Sequence, residues 1–216
     1  MKIERLRLLA SIAGVAALAA CSGGGSDDTS DGGGSGSSIV PDLPGDTDSV
    51  FVARVQELTS ILESPLVSSG DATLPDAPTP GSATFTGSGL IVDTNTPDTV
   101  DTVAEALEFA IFATDAQATV NFADGDVTSV QDNFIDVSGA SVAGSVEMTD
   151  GSFTPGVGTF TGTVTGSVKD TDISASQQGV IYGEPSDGAV IGSWSATGSD
   201  GEYDGIELGG AFAADN

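Results

Sequence analysis

The feature that most constrains the fold is a period-two alternation that recurs from Ser82 to Ala213. In each run, glycine or bulky apolar residues occupy one side, and Thr, Ser, Asp or Gln occupy the other. The clearest run places Phe160, Val164 and Val168 on the apolar side, with Thr and Ser between them. Because successive side chains of a β-strand point to opposite faces, this pattern predicts strands with one buried face.

Turn signals divide the alternating region into about eight predicted strands. The signals are Asp- and Gly-rich: 123–126, Asp150-Gly151, 186–188 and Asp200-Gly201. The predicted strands are 82–93, 116–122, 126–136, 140–148, 158–169, 172–182, 189–197 and 206–213. In the later runs, Gln177 lies on the apolar side, and so do Gly192 and Trp194. The tryptophan is therefore interpreted as a core residue.

Glycines recur on the apolar side of these strands, although glycine normally weakens a strand. Their recurrence favours tight coiling of the sheet, as in a small closed barrel. A barrel that spans the outer membrane is the alternative, and it needs a continuous apolar outer band with aromatic girdles at both interfaces. The nine Phe, two Tyr and one Trp are scattered instead, which favours a water-soluble barrel filled by its own side chains.

A helix is predicted before the barrel, and one later segment is ambiguous. Phe51, Val55 and Leu58 recur at helical spacing after a capping Asp48 or Ser49, and Pro65 should end the helix. The prolines of residues 65–80 predict an irregular connector. Residues 98–114 fit either a helix, through Val100, Val103, Ala104, Leu107 and Ile111, or a strand that continues toward Gln117, through Leu107, Phe109, Ile111 and Ala113.

The amino terminus has the pattern of a secretory signal. Lys2, Arg5 and Arg7 precede an apolar, Ala-rich stretch from Leu8 to Ala20, which is too short to span a bilayer as a mature helix. It ends in Leu18-Ala19-Ala20-Cys21, which resembles the lipobox of bacterial lipoproteins and contains the only Cys of the chain. The resemblance implies that Cys21 becomes the lipidated first residue. An ordinary signal peptide cleaved after Ala20, with a chance Cys, is the alternative.

Acylation of Cys21 would anchor the mature chain to a membrane, because two or three acyl chains hold a protein firmly. Ser22 follows the Cys and resembles the outer-membrane sorting pattern rather than inner-membrane retention. Residues 22–49 are rich in Gly, Ser and Asp and contain no base, so we expect a disordered tether with a mean reach of about 30 Å.

The charge is strongly acidic, with a net charge of -27 from 32 acids and 5 bases. Loss of residues 1–20 removes three bases and one acid and leaves Arg54 and Lys169 against 31 acids. Nucleic acid is therefore a disfavoured partner. With no His and one Cys, an intrachain disulfide, a Ser/His/Asp triad and a His-based zinc site are excluded. The acidity is interpreted either as adaptation to a salty medium or as attraction for a basic partner.

Three ordered segments near the carboxyl end resemble the β-barrel of transferrin-binding protein B-type surface lipoproteins. They are Gly179-Val180-Ile181-Tyr182-Gly183, Gly192-Ser193-Trp194-Ser195-Ala196 and Tyr203-Asp204-Gly205-Ile206-Glu207-Leu208-Gly209-Gly210-Ala211-Phe212. Upstream, Ala83-Thr84-Phe85-Thr86-Gly87 and Ala118-Thr119-Val120-Asn121-Phe122 also fit, so the resemblance covers roughly 81–213. It implies a lipid-anchored barrel that binds iron proteins, haem carriers or complement regulators. The single barrel differs from the two-lobed transferrin binders.

The expected organisation is therefore all-β: a soluble eight-stranded antiparallel β-barrel with a short N-terminal helix, preceded by a disordered linker and a lipoprotein signal peptide. The boundaries are a signal peptide at 1–20, the lipidated Cys21 with the linker at 21–49, the helix and connector at 50–80, and a transferrin-binding protein B-like barrel at 81–216.

Candidate chemical groups are few. Asp124 with Asp126, or Asp200 with Glu202 and Asp204, could serve as an acid–base pair, but their spacing is typical of Asx turns in hairpins. The second group could instead bind calcium, although no EF-hand or nonapeptide spacing supports a metal site. The residues available for haem ligation are Tyr182, Tyr203 and Met148. Tyr203 is expected to pack a turn, and Tyr182 to cover the barrel mouth.

The sequence thus predicts no enzyme, no catalytic residue, no cofactor and no metal. It predicts a lipoprotein anchored in the bacterial outer membrane through Cys21, either at the cell surface or on the periplasmic face. We expect a binding module for a protein or for an iron- or haem-carrier ligand. A structural or coat lipoprotein without a specific ligand is the alternative.

Overall fold

Eight antiparallel strands form a closed barrel in which each strand pairs with its sequence neighbours and β8 pairs with β1. The computed structural model describes residues 48–70, 81–94, 109–153, 156 and 158–216. The strands are β1 Ser82–Asp93, β2 Ala110–Asn121, β3 Asp126–Asp136, β4 Gly144–Phe153, β5 Thr159–Val168, β6 Thr171–Glu184, β7 Asp187–Thr197 and β8 Glu207–Asp215. The predicted fold class is confirmed.

The interior of the barrel is filled by the apolar side of the alternation. Phe160, Val164 and Val168 of β5 all lie in the interior cluster, together with Trp194, whose side chain is 1% exposed. The Thr and Ser residues between the β5 apolar positions face outward. On β5, apolar side chains therefore lie inside the barrel and hydroxyl-bearing side chains outside, as the alternation predicted.

Two helices lie on the outside of the barrel before β1. The first, α1, spans Ser49–Leu62, and its N-cap Asp48 accepts a hydrogen bond from the Val50 backbone N–H at 2.7 Å. Its buried face covers apolar residues on the outer side of the wall and forms a second core with them. The predicted helix and its Asp48 cap are therefore confirmed.

A second short helix, α2, spans Pro65–Ser68, where an irregular connector was predicted. The prediction was wrong because Pro65 occupies the first helical position, where its missing N–H costs nothing and its fixed φ suits a helix. The Ser64 side chain caps this turn by accepting from the Val67 N–H at 3.4 Å. No helix among the described residues is both long enough and apolar enough to cross a bilayer.

The strand bounds agree with the sequence pattern at β1 and β3 and differ most at β4. The predicted strand 140–148 begins instead at Gly144, because residues 137–143 form a turn after Asp136. The predicted turn at Asp150-Gly151 is also wrong, since β4 continues to Phe153. The Asp150 carboxylate accepts a hydrogen bond from the Thr163 N–H at 2.8 Å and so keeps this irregular stretch attached to β5.

The ambiguous segment 98–114 is a strand where the structure describes it, because β2 already begins at Ala110. The other residues of that segment, except Phe109, lie outside the described ranges. The proposed apolar side of Ile111 and Ala113 is not the interior side of β2. Phe112 faces the interior, on the same alternation as Ala116 and Ala118, and Ala113 faces the helix side.

The two ends of the barrel differ. At the end we call the turn end, residues 122–125 and 185–186 make short connections, and Phe122 packs against Phe153 with ring centroids 6.0 Å apart. At the end we call the loop end, the described connections are 137–143, 169–170 and 198–206. The loop end is the side at which α1 begins, because the Asp48 N–H donates to the Val137 carbonyl at 2.9 Å.

Candidate binding surface at the loop end

Two connections of the loop end are joined by backbone hydrogen bonds. The Asp172 N–H donates to the Ser199 carbonyl at 2.7 Å, and the Ser199 N–H donates back to Asp172 at 3.1 Å. Gly201 lies so close to the first connection that a Cβ atom would sit 2.3 Å from the Asp170 carbonyl oxygen. Connections 169–170 and 198–206 therefore form one fixed surface rather than two independent loops.

The backbone of this surface adopts conformations that are uncommon for residues with a side chain. Lys169, Asp170 and Asp200 have φ of 47°, 62° and 59°, in the left-handed region that Asp and Asn tolerate better than most residues. Lys169 and Asp170 are the two residues that join β5 to β6, and a two-residue hairpin turn of type I′ requires positive φ at both positions. These conformations project the exposed carboxylates of Asp170, Asp172 and Asp200 from a defined backbone.

Tyr203 lies at the centre of the loop end. Its N–H donates to the Thr171 hydroxyl at 3.0 Å, and its ring packs edge-on against Phe112 with centroids 5.8 Å apart. The side chain is half-buried. Burial raises the pKa of the Tyr203 hydroxyl, and the Glu202 carboxylate raises that pKa further, with smaller contributions in the same direction from Asp136 and Asp93. Lys169, the ion-pair partner of Glu202, lowers the same pKa, so the half-buried ring lies beside an ion pair.

Asp136 fixes the neighbouring connection, 137–143. Its carboxylate accepts from the Ser138 N–H at 2.9 Å, the Ser138 hydroxyl at 2.6 Å and the Ala140 N–H at 3.0 Å. The hydrogen bond from the Ser138 hydroxyl is the main reason why the pKa of Asp136 lies below its usual value. Asp136 is therefore a turn-forming acid that remains ionised at neutral pH.

Both basic residues that follow the predicted signal peptide are engaged in ion pairs. Lys169 Nζ lies 2.8 Å from Glu202 Oε2, and this hydrogen bond raises the pKa of Lys169. Arg54 Nη2 lies 2.6 Å from Asp115 Oδ1 on the barrel wall. Because each cation already has a carboxylate partner, the exposed acids of the loop end have no unpaired cation among the described residues. The arrangement suits recognition of a cationic group.

Comparison with known proteins gives similarity to solved structures only. No protein-family model and no curated protein matches this chain. The chain is similar to transferrin binding protein B from Haemophilus parasuis Hp5, in the double mutant Tyr-167-Ala and Trp-176-Ala at 15% identity and TM-score 0.38, and in the mutant Trp-176-Ala at 13% and 0.38. It is also similar to intact Ap-TbpB, with N and C lobes, at 13% and 0.37.

Each of these similarities covers 66% of this chain. The chain spans 27%, 28% and 27% of the three solved chains, which is about a quarter of their length.

The predicted acid groups are not assembled as acid–base pairs. Asp124 accepts a hydrogen bond from the Asn121 side-chain amide at 2.7 Å within a turn, as the hairpin interpretation predicted. Glu202 pairs with Lys169, whereas Asp200 and Asp204 are exposed. Within the described ranges, no group of three or more acidic side chains lies close enough together to hold a metal ion.

The residues considered for haem ligation are also separated. Met148 is fully buried in the interior core, and Tyr203 lies at the loop end. Tyr182 does not cover the barrel mouth as predicted, because it belongs to the outer core beneath the helices and is 4% exposed. The prediction was wrong because Ile181, its neighbour in β6, points inward, so that Tyr182 points outward. Cys21 lies outside the described residues.

Sequence reasoning missed the residues that tie α1 to the barrel. Arg54 donates to the carbonyls of Ala113 and Asn133, and Asn133 also donates to Asp115 at 2.9 Å. The Ser88 hydroxyl, buried beneath the helix, donates to the Glu57 carboxylate. The sequence did mark Arg54, because it is the only base in the helix. Its partners could not be predicted, because they lie on two strands that come together only in the folded barrel.

Proposed function

We propose that the chain is a non-enzymatic lipoprotein of the bacterial outer membrane that binds a protein partner through a cationic segment. In this proposal Cys21 carries the lipid, and residues 22–47 separate the barrel from the bilayer. The loop end is the binding surface. The partner supplies Lys or Arg side chains, since both bases of the described residues, Arg54 and Lys169, are already in ion pairs.

The observation that carries the proposal is the fixed acidic surface formed by connections 169–170 and 198–206. Asp170, Asp172 and Asp200 project from a backbone held by reciprocal hydrogen bonds, so little entropy would be lost when they are ordered by a partner. Carboxylates of one sign increase the association rate of an oppositely charged protein. The half-exposed Tyr203 ring adds a face on which a cation can rest.

The motifs of the last forty residues support assignment to the transferrin-binding protein B type, and we propose that class for the chain. Within it, the partner is a protein or an iron or haem carrier. A binding role is favoured over catalysis because the carboxylates of Asp124 and Asp136 accept hydrogen bonds within turns and Glu202 pairs with Lys169. A coat lipoprotein without a ligand is the second candidate, and the overall acidity favours it equally.

The experiment compares two charge-neutralised variants of the same chain in a pull-down from growth medium and envelope extract. The test variant is Asp170→Asn, Asp172→Asn, Asp200→Asn, which keeps the side-chain size and tolerates the left-handed backbone. The matched control is Asp124→Asn, Asp126→Asn at the turn end. A partner identified with the wild type should be retained by the control and lost by the test variant.

The recovered partner should also raise the melting temperature of the wild type, by the linkage between binding and stability. Equal recovery by both variants would refute the loop end as the binding surface. A wild type that recovers nothing and shows no melting shift would favour the coat protein. The anchor has its own test: labelled palmitate should be incorporated into the wild type and not into Cys21→Ala.

A further inference from the structure

A groove on the outer wall of the barrel lies beside an irregular stretch of β4, next to β2 and β3. The β3–β4 register shifts between Val127 and Ser129, and the β4–β5 register shifts between Met148 and Ser152. Strand β4 is thus irregular on both sides over the same few residues. The Asp150 carboxylate accepts the Thr163 N–H and holds the irregular stretch against β5.

The groove has a cavity volume of about 290 Å³. This is near the lower end of the range for small-molecule sites, roughly 300 to 1,000 Å³. The outward-facing residues of its lining are Gln117, Thr119, Thr128, Val130, Glu147 and Thr149, and their methyl and methylene groups contribute more of the accessible surface than their polar atoms do. Ser129 and Met148, which point into the barrel, complete the lining from below. The floor is held in place because Met148 is fully buried.

We propose that this groove binds a neutral carbohydrate. Hydroxyl and amide groups both donate and accept hydrogen bonds, as the hydroxyl groups of a sugar do, and three threonines and one glutamine supply them here. Glu147 is the only ionisable residue of the lining and is negative, so an anionic ligand would be repelled. A protein partner would need an apolar or aromatic anchor pocket, and the partly buried Val130 is the only apolar residue among the outward-facing positions of the lining.

The surface beside the groove also carries exposed hydroxyl groups. Glu147 pairs in register with Thr165 of β5, and Thr165 and Thr163 pair with Ser174 and Ser176 of β6. These hydroxyl groups are exposed. Successive outward residues of a strand are about 6.7 Å apart, and neighbouring strands are about 4.8 Å apart. An oligosaccharide held in the groove can therefore extend over a regular array of hydroxyl groups.

The test titrates the isotope-labelled full chain with maltotriose and with the N-acetylglucosamine trimer, and follows backbone amide shifts by NMR. Trigalacturonate serves as the anionic probe. At least one neutral trimer should shift amides within 117–119, 128–130 and 147–150, and trigalacturonate should not. The variant Thr128→Val, Thr149→Val keeps β-branched side chains but removes two hydroxyls, and should weaken binding about tenfold.

The matched control is Thr161→Val, which makes the same change on β5 away from the groove. It should bind as the wild type does. The absence of shifts with both neutral trimers, shifts located elsewhere, or equal weakening by the control would overturn the proposal. The site is independent of the loop end, so the Asp170, Asp172, Asp200 variant should retain the sugar-induced shifts even if it loses its protein partner.

Discussion

At the scale of single residues, a polar pair inside the barrel fixes the position of the only tryptophan. The Trp194 indole N–H donates to Gln131 Oε1 at 2.8 Å, and Gln131 Nε2 donates to the Ala211 carbonyl at 3.1 Å. The ring lies directly on Gly210, where a Cβ atom would be 2.1 Å from Trp194 Cε2. This glycine is required because an aromatic ring occupies the volume of its missing side chain.

Trp194→Phe should therefore destabilise the fold by about 2 to 4 kcal/mol, because it leaves a cavity and an unsatisfied Gln131 oxygen. Gln131→Met should also destabilise it, since the indole N–H then lacks an acceptor. The double variant should lose less than the sum of the two, as expected for residues in direct contact. Urea unfolding followed by circular dichroism measures all three, and strict additivity would show that the hydrogen bond is energetically unimportant.

The sequence predicted one residue of each polar pair in the interior and missed its partner. Alternation placed Trp194 and Gln177 on the inward side of β7 and β6, and both are buried. The Ser129–Gln177 pair and the Gln131–Trp194 pair could not be predicted, because their members lie on β3 and on β6 or β7, far apart in the chain. Their contacts across the interior depend on the closure of the barrel.

At the scale of elements, Arg54 is the main polar connection between α1 and the wall. Its guanidinium contacts Asp115 and donates to the carbonyls of Ala113 and Asn133, where the β2–β3 register shifts between Ala113 and Asp115. Asn133 has φ of 51° at this irregularity. The guanidinium thus satisfies backbone acceptors that the irregular ladder leaves available.

Arg54→Met should cost about 1 to 3 kcal/mol of stability and increase amide hydrogen exchange across Ser49–Leu62. Lysine cannot donate to several acceptors in fixed directions, so Arg54→Lys should keep only a minor part of the stability that Arg54→Met loses. The matched control is Lys169→Met, which removes an exposed, solvent-screened ion pair and should change stability little. If both Met variants have equal effects, Arg54 has no special role in docking the helix.

Element bounds were predictable where local chemistry determines them. Strands Ser82–Asp93 and Asp126–Asp136 end where turn residues begin, and both were predicted correctly. Strand β4 was misplaced because Asp150-Gly151 has the composition of a turn, yet Gly151 is a buried strand residue next to Met148. Only a non-local contact, the Asp150 carboxylate on the Thr163 N–H, distinguishes the irregular strand from a turn.

At the scale of the whole molecule, repulsion among the many acidic side chains destabilises the folded barrel. The chain has 32 acidic and 5 basic residues. The two bases of the described part are held in local pairs and so do little to offset repulsion among distant carboxylates. Sequence reasoning predicted this excess but not which acids lie near one another, because that depends on how the connections stack.

Self-repulsion of this size should make stability depend on ionic strength, since salt screens exposed charges beyond about 10 Å at 0.1 M. We expect the melting temperature to rise on the order of 5 °C between about 0.01 M and about 1 M NaCl. Differential scanning calorimetry measures this shift, with KCl at the same concentrations to show that the ion identity is secondary.

The Asp170→Asn, Asp172→Asn, Asp200→Asn variant should melt higher at low salt and respond less to added salt, because it removes three charges from the same end of the barrel. A melting temperature independent of NaCl in the wild type would mean that the acids are spaced widely enough not to interact, and would leave partner binding as the better explanation of the charge.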